Sequence, residues 1–388
     1  MCRGRSSLVL ALEFAFRVGL VILVVEAFPQ IYTNDAYHFW TEWRSLGLNH
    51  LPYRDFLWEF PPITVIPAAA AALFRHDRTA FAILLGIVMA AFELTTLEVL
   101  RRSRPAEREQ LSLYWTAAAI PISLLVWFRL DFMSVLFAAL ALVWFERRRS
   151  ASTFIVLGIF SKLWPGVLLA ASAWRGRWRE IATTAVASGL VVATWYAFST
   201  SGFRAFLDYR RGTGFHVESL IGSVLLLAGS RPIAFHSGAY VVAAGHYGWL
   251  DPAMMLVWFA GVVAVVFAAY RRKPVNDAAV VGALVVALIL TSRLFSPQYL
   301  VWMLPFLALA RTHGERRATR LFVLIGLLTT VYLFGYADLL LGNRVLAAVI
   351  VLRNLLLAVT GVTLLRWGWS GGTTQSLPAR STRRQRRT

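Results

Sequence analysis

The chain has one cysteine, Cys2, so no disulfide and no thiolate zinc cluster can be built from its own residues. Charge is also scarce: only 15% of the 388 residues are Asp, Glu, Lys or Arg, and just 20 of these are acidic. Asp-x-Asp is absent, which argues against a nucleotide-sugar donor chelated through a divalent ion. A glycine-rich phosphate loop is absent too. What fills the chain instead is apolar: 58% hydrophobic residues and a mean hydropathy of +0.61. A soluble domain of this length would need a far more polar surface, so the composition indicates an all-α polytopic membrane protein. Fifteen tryptophans fit that class, because indoles anchor at the headgroup boundary.

A net charge of +19 raises the question of nucleic acid, and the placement of the charge answers it. Most Lys and Arg fall in the short segments 101–109, 146–150, 174–180, 271–277 and 311–320, in the N-terminal turn and in the tail 380–387. This is a positive-inside pattern, which makes membrane lipids the partner and predicts no nucleic acid partner. A spanning helix needs about 20 apolar residues, and crossings are predicted at 8–28, 79–100, 111–128, 182–198, 252–270, 278–294, 321–341 and 345–366. The first follows Arg3 and Arg5 without a cleavage site and reads as an uncleaved helix with its N-terminus inside. Shorter pieces lie at 132–145 and 299–310. The pair 152–162 and 164–173 reads as a short hairpin whose tip, Lys162, faces a water-filled cavity. Residues 61–74 are read as a dip that enters and returns, because a crossing there would put the 101–109 cluster outside. Both termini are then cytoplasmic in a plasma-membrane protein. Residues 1–370 form one domain, with outer segments 29–60 and 199–251 and a disordered basic tail at 371–388. The second outer segment is expected to contain an interfacial helix.

Polar chemistry is concentrated on the predicted outer face. Six of the seven histidines lie there, and the first outer loop carries Asp35, Glu42, Asp55 and Glu59 among Tyr37, Trp40, Trp43, Tyr53 and Trp58. The succession Asn34-Asp35-Ala36-Tyr37, Leu51-Pro52-Tyr53-Arg54-Asp55 and Glu59-Phe60-Pro61-Pro62 resembles the first-loop pattern of glycosyltransferase family 87, within the GT-C superfamily. Further matches follow in order at Arg129-Leu130-Asp131, Lys162-Leu163-Trp164-Pro165, Arg210-Arg211, His216-Val217-Glu218-Ser219 and Phe295-Ser296-Pro297-Gln298-Tyr299-Leu300-Val301-Trp302. Phe60 stands where the family more often has Tyr, and Arg54 interrupts its Pro-Tyr-x-Asp element. The resemblance implies a GT-C-like bundle of about 10–12 transmembrane helices. It also implies an inverting enzyme that moves mannose or arabinofuranose from a polyprenyl-phosphate donor to a lipid-linked or cell-envelope glycan acceptor. No cofactor is implied. Members use a first-loop aspartate as catalytic base, which falls on Asp35.

The residues themselves support the same chemistry. Transfer needs a base for the acceptor hydroxyl, and a carboxylate near the membrane surface can serve. One carboxylate suffices for a single displacement, since a phosphate leaves without protonation. Asp35 is also well placed to cap the helix that follows it. The donor phosphate needs cations, and Lys162, Arg129, Arg211 and Arg293 lie within reach of the outer face. For Arg129 a simple pair with Asp131 is as good a reading. Tyr53, Asp55, Trp58, Glu59, His216, Glu218 and Gln298 are candidates for sugar or acceptor contact, with membrane anchoring the commoner role for the aromatics. Glu93, Glu98 and the Arg353-Asn354 pair lie inside spans and read as interhelical salt bridges. A transporter or flippase would use similar helices, although no internal repeat is detectable.

Overall fold

A computed structural model describes residues 2–29, 35–44, 50–147, 149–209, 214–230, 232–236, 238–243 and 245–370. The 371–388 tail and Arg211 lie outside these described residues. The chain is almost wholly helical. Helices α1 (Cys2–Ala27), α4 (Arg78–Ser103), α5 (Arg108–Val126) and α6 (Asp131–Glu146) open the bundle, with α2 (Asp35–Arg44) and α3 (Val65–Ala71) between the first two. Then come α7 (Ser152–Ile159), α8 (Leu169–Trp174), α9 (Trp178–Phe198), α10 (Thr200–Asp208) and α11 (Leu220–Leu227). The chain closes with α12 (Leu250–Arg271), α13 (Asp277–Thr291), α14 (Leu304–Thr312), α15 (Arg317–Phe334), α16 (Tyr336–Leu341) and α17 (Arg344–Ser370). Among the described residues, five helices are long and apolar enough to cross a membrane: α4, α9, α12, α15 and α17.

Successive contacts sort the loops onto two opposite faces. α1 runs antiparallel to α4, with Glu13 on Arg101, Arg17 on Glu93 at 2.9 Å and Val21 against Gly86. A Cβ on Gly86 would sit 2.6 Å from Val21 Cγ1, so the glycine sets how closely the helices approach. Glu93 is fully buried and has both carboxylate oxygens engaged: Arg17, Trp115 Nε1 and Trp127 Nε1 all donate to it. That satisfies the rule that a charge taken out of water must be paired and hydrogen-bonded. On the face where α4 ends, Arg104 pairs with Glu146, Arg175 with Asp277, and Asn276 meets His313. On the opposite face Asp35 pairs with Arg129, Ser199 Oγ donates to the Tyr53 carbonyl, and Arg293 pairs with Asp251. The predicted Arg clusters thus share one face, and the predicted polar motifs share the other.

Residues 61–74 return to the face on which they start. Trp58 Nε1 donates to Thr64 at the entry, and Trp40 Nε1 donates to the Arg75 carbonyl at the exit. Both tryptophans belong to the first outer segment, so a single structure holds both ends of the dip. Two expectations need correction. The crossing predicted at 321–341 breaks at Gly335, where Leu346 occupies the space a Cβ would need. The crossing at 278–294 is a shorter helix, because Ser292 turns extended ahead of the Pro297 corner. The second outer segment holds the helices α10 and α11 and a three-stranded sheet of β1 (Phe215–His216), β2 (Ile233–His236) and β3 (Ala239–Val242), ordered β1-β3-β2. Of its two apolar patches, 220–227 is the helix α11, whereas the β-branched Val241 and Val242 favour a strand in the other, and Gly238, with φ of 75°, makes the turn into it.

Candidate active site

A cavity of about 640 Å³ opens on the polar-motif face, with Asp35, Glu59, Arg129, His216, Glu218 and Gln298 in its wall. These six come from four separate stretches of the chain, and the fold gives each a specific seat.

Asp131, outside that wall, organises the block that supports it, opening α6 with its carboxylate at the positive helix end. Lys162 Nζ donates to both its oxygens, at 2.9 and 3.0 Å, and Trp302 Nε1 donates at 2.7 Å. Lys162 also lies over the rings of Tyr299 and Trp302, 4.8 and 5.6 Å from their centroids. Trp302 stacks between Tyr299 (4.1 Å) and Trp164 (5.3 Å), and Trp164 Nε1 donates to Ser134 Oγ in α6. Three motifs far apart in sequence thereby lock into one block. It fixes the corner at Pro297, which presents Ser296, Gln298 and Tyr299 to the cavity.

Arg129 occupies the turn just ahead of α6. Its Nε lies 2.8 Å from Asp35 Oδ2, and its Nη1 donates to Ser296 Oγ at 3.0 Å. Arg129 therefore does not pair with Asp131. Asp35 is the first residue of α2, which is anchored by Phe39 wedged between Trp58 and Phe60, 5.5 and 5.4 Å between ring centroids. Both partners of the pair keep some solvent contact, 14% for Arg129 and 23% for Asp35.

His216 is held by its main chain and its ring to the same corner. Its backbone N donates to the Arg293 carbonyl, and its Nδ1 lies 2.6 Å from the Phe295 carbonyl. A carbonyl only accepts, so Nδ1 carries the proton in that contact. Glu218, 2% exposed, has its own carbonyl bound by Arg353 Nη2 (2.7 Å) and Asn354 Nδ2 (3.3 Å) of α17. Burial pushes the Glu218 carboxyl up from 4.5 to about 7, against the opposing pull of Arg353 and Arg129. Arg353 is not the salt-bridge partner its place in a span suggested. Its guanidinium sits over Phe295 and Tyr332, 4.2 and 5.4 Å from the centroids, which compensates a desolvated cation by about 2 kcal/mol. Glu98 does pair as expected, with Arg101, Arg102 and Arg108.

Several predicted site residues have other placements. Lys162 is turned to Asp131 and the aromatic stack and does not line the cavity. Arg293 pairs with Asp251 at 3.4 Å, leaving its neighbour Leu294 in the wall. Tyr53 is buried against Trp195, its hydroxyl donates to the Phe60 carbonyl, and burial raises its phenol above the usual range. Trp58 is 1% exposed. Asp55 pairs with Arg54 and caps Leu51 N. These three build the loop rather than the cavity. In their place the wall holds Tyr37, Tyr209, Phe235, Tyr240 and Tyr336, which composition alone did not separate from other aromatics. Among the described residues no group of three or more His, Cys, Asp or Glu side chains is placed to hold a metal ion.

The family model of glycosyltransferase family 87 matches residues 58–297. The chain belongs to glycosyltransferase family 87. No curated protein and no solved structure matches it. The family match contains Arg129, Lys162, His216 and Glu218, and it ends at the Pro297 corner that holds them. A family 87 chain is a glycosyltransferase, which acts on a sugar donor and a glycan acceptor.

Proposed function

We propose that this family 87 chain transfers a sugar, mannose or arabinofuranose, from a polyprenyl-phosphate donor to a glycan acceptor at the outer face of the plasma membrane. The observation that carries the proposal is the Asp35–Arg129 pair at the cavity wall, a carboxylate and a guanidinium 2.8 Å apart. A sugar nucleotide made in the cytosol does not reach a site on the face opposite the Arg clusters, so a lipid-linked donor suits that placement. The reaction is a single displacement. Asp35 takes the proton of the acceptor hydroxyl as that oxygen attacks C1 of the donor sugar. The bond from C1 to the phosphate oxygen breaks, its electron pair leaves with the polyprenyl phosphate, and configuration at C1 inverts. Arg129 grips the phosphate through parallel N–H donors. When it does so its hold on Asp35 loosens, so donor binding prepares the base.

Asparagine keeps the size and helix-starting preference of aspartate but cannot accept the proton. Asp35→Asn is expected to slow transfer by about 10²–10⁴ while the unfolding midpoint falls only modestly, through loss of the pair with Arg129. The measurement is sugar transfer by purified protein in detergent, with polyprenyl-phosphate mannose or arabinofuranose as donor. Parent activity there also separates an enzyme from a flippase, which needs two sealed compartments. Transfer by Asp35→Asn within a few-fold of the parent would remove Asp35 as the base.

A further inference from the structure

Two apolar stretches line the cavity. One, Leu333, Phe334 and Leu340, runs from the end of the membrane-length helix α15 into α16. The other is aromatic and stands on the small sheet. Phe235 and Tyr240 are Cα partners across β2 and β3, so their rings share one face, 5.0 Å apart at an interplanar angle of 62°. Tyr336 extends the row from α16, 5.9 Å beyond Tyr240. All three rings line the cavity that holds Asp35 and Arg129. Phe235 is 62% exposed, and β2 is an edge strand whose Ala234 and His236 are also exposed. Phe235 is thus an open ring on a sheet edge beside the cavity it lines.

We infer that Phe235, Tyr240 and Tyr336 form a stacking shelf for a ring of the acceptor glycan. The inference rests on the glycosyltransferase reading and gives its acceptor a place. A sugar ring has an apolar C–H face and a rim of hydroxyls. It suits an aromatic surface beside hydrogen-bonding groups, and Gln298 and Tyr209 supply these in the same wall. An isoprenoid chain suits the Leu333, Phe334 and Leu340 stretch instead, because it adjoins α15, a helix long and apolar enough to cross a membrane. The aromatic shelf on the sheet is thus left to the partner that arrives from the polar phase. The aromatics first expected to stack on sugar, Tyr53 and Trp58, are consumed by loop packing.

The test uses the full chain in lipid nanodiscs, with methyl α-D-mannopyranoside and methyl α-D-arabinofuranoside as tail-free probes and decaprenyl phosphate as donor leaving group. Saturation-transfer NMR should show ring-proton contact for at least one glycoside. Phe235→Ala and Tyr240→Ala should each weaken that contact about three- to tenfold. Phe235→Leu, which keeps bulk without a ring face, should lose it as well. Affinity for decaprenyl phosphate should stay within about twofold of the parent, which also verifies folding. The shelf is overturned if neither glycoside is contacted, or if the variants bind it like the parent. It is equally overturned if they weaken decaprenyl phosphate instead, for then the rings hold the isoprenoid. Glycoside contact without any transfer would sink the reaction proposed above and leave the shelf standing.

Discussion

At the scale of single residues, Glu218 is where burial has altered chemistry most visibly. Its carboxyl titrates at about 7 in the fold and at 4.5 when unburied. Between those values the folded chain keeps a proton that the unfolded chain has released, so stability falls as pH rises through that window. Glutamine is neutral throughout. The unfolding midpoint of Glu218→Gln should therefore fall less than that of the parent between about pH 5 and about pH 8, as read by thermal unfolding in detergent. Equal falls in the two proteins would mean that another group carries the pH dependence. Sequence could single out Glu218 as a site candidate but not its protonation, which is set by burial and opposed by Arg353 from a helix 135 positions away. Lys162 shows the converse. As a cation interrupting an apolar stretch it was legible as important, yet its partner Asp131 is fixed by three-dimensional packing, and no spacing rule links 131 to 162.

At the scale of elements, α11 shows how a helix places cavity-wall residues it does not itself contain. Ser219 caps it, accepting from Gly222 N and donating to the His216 carbonyl at 2.8 Å. A Cβ on Gly222 would lie 2.0 Å from that same carbonyl oxygen. Backbone cannot yield as a flexible side chain can, so Gly222→Ala must push β1 away from α11. His216 and Glu218 flank the displaced peptide. The variant should lose transfer by about tenfold or more, since misplacement by about 1 Å costs up to a hundredfold, and should destabilise by about 1–3 kcal/mol. Steady-state transfer and thermal unfolding together check this, and a Gly222→Ala protein with parental values of both would show that the contact yields freely. Helices were the readable elements because an apolar run of membrane length has few alternatives. The sheet was not readable, since its strands are two to four residues long and their pairing is non-local.

At the scale of the whole molecule, charge and packing agree on one sidedness. Every described basic cluster joins contacts at one end of the bundle: Arg104 with Glu146, Arg175 with Asp277, Lys273 with the Trp174 carbonyl. The cavity and its carboxylates gather at the other end. Arg-rich loops resist translocation, so the end that holds them should remain in the cytoplasm and the cavity should face out. The dip at 61–74 is what makes this possible, because a full crossing there would reverse every later helix. Two exposed positions report the ends independently: His236 on the edge strand and Arg316 ahead of α15. With Cys2 replaced by serine, His236→Cys should react with a membrane-impermeant maleimide on intact cells. Arg316→Cys should react only after permeabilisation. The opposite pattern would place the cavity in the cytoplasm, where sugar nucleotides are available and the case for a lipid-linked donor is lost. Labelling of both from outside would mean that the chain between residues 236 and 316 does not make the crossings of α12, α13 and α14.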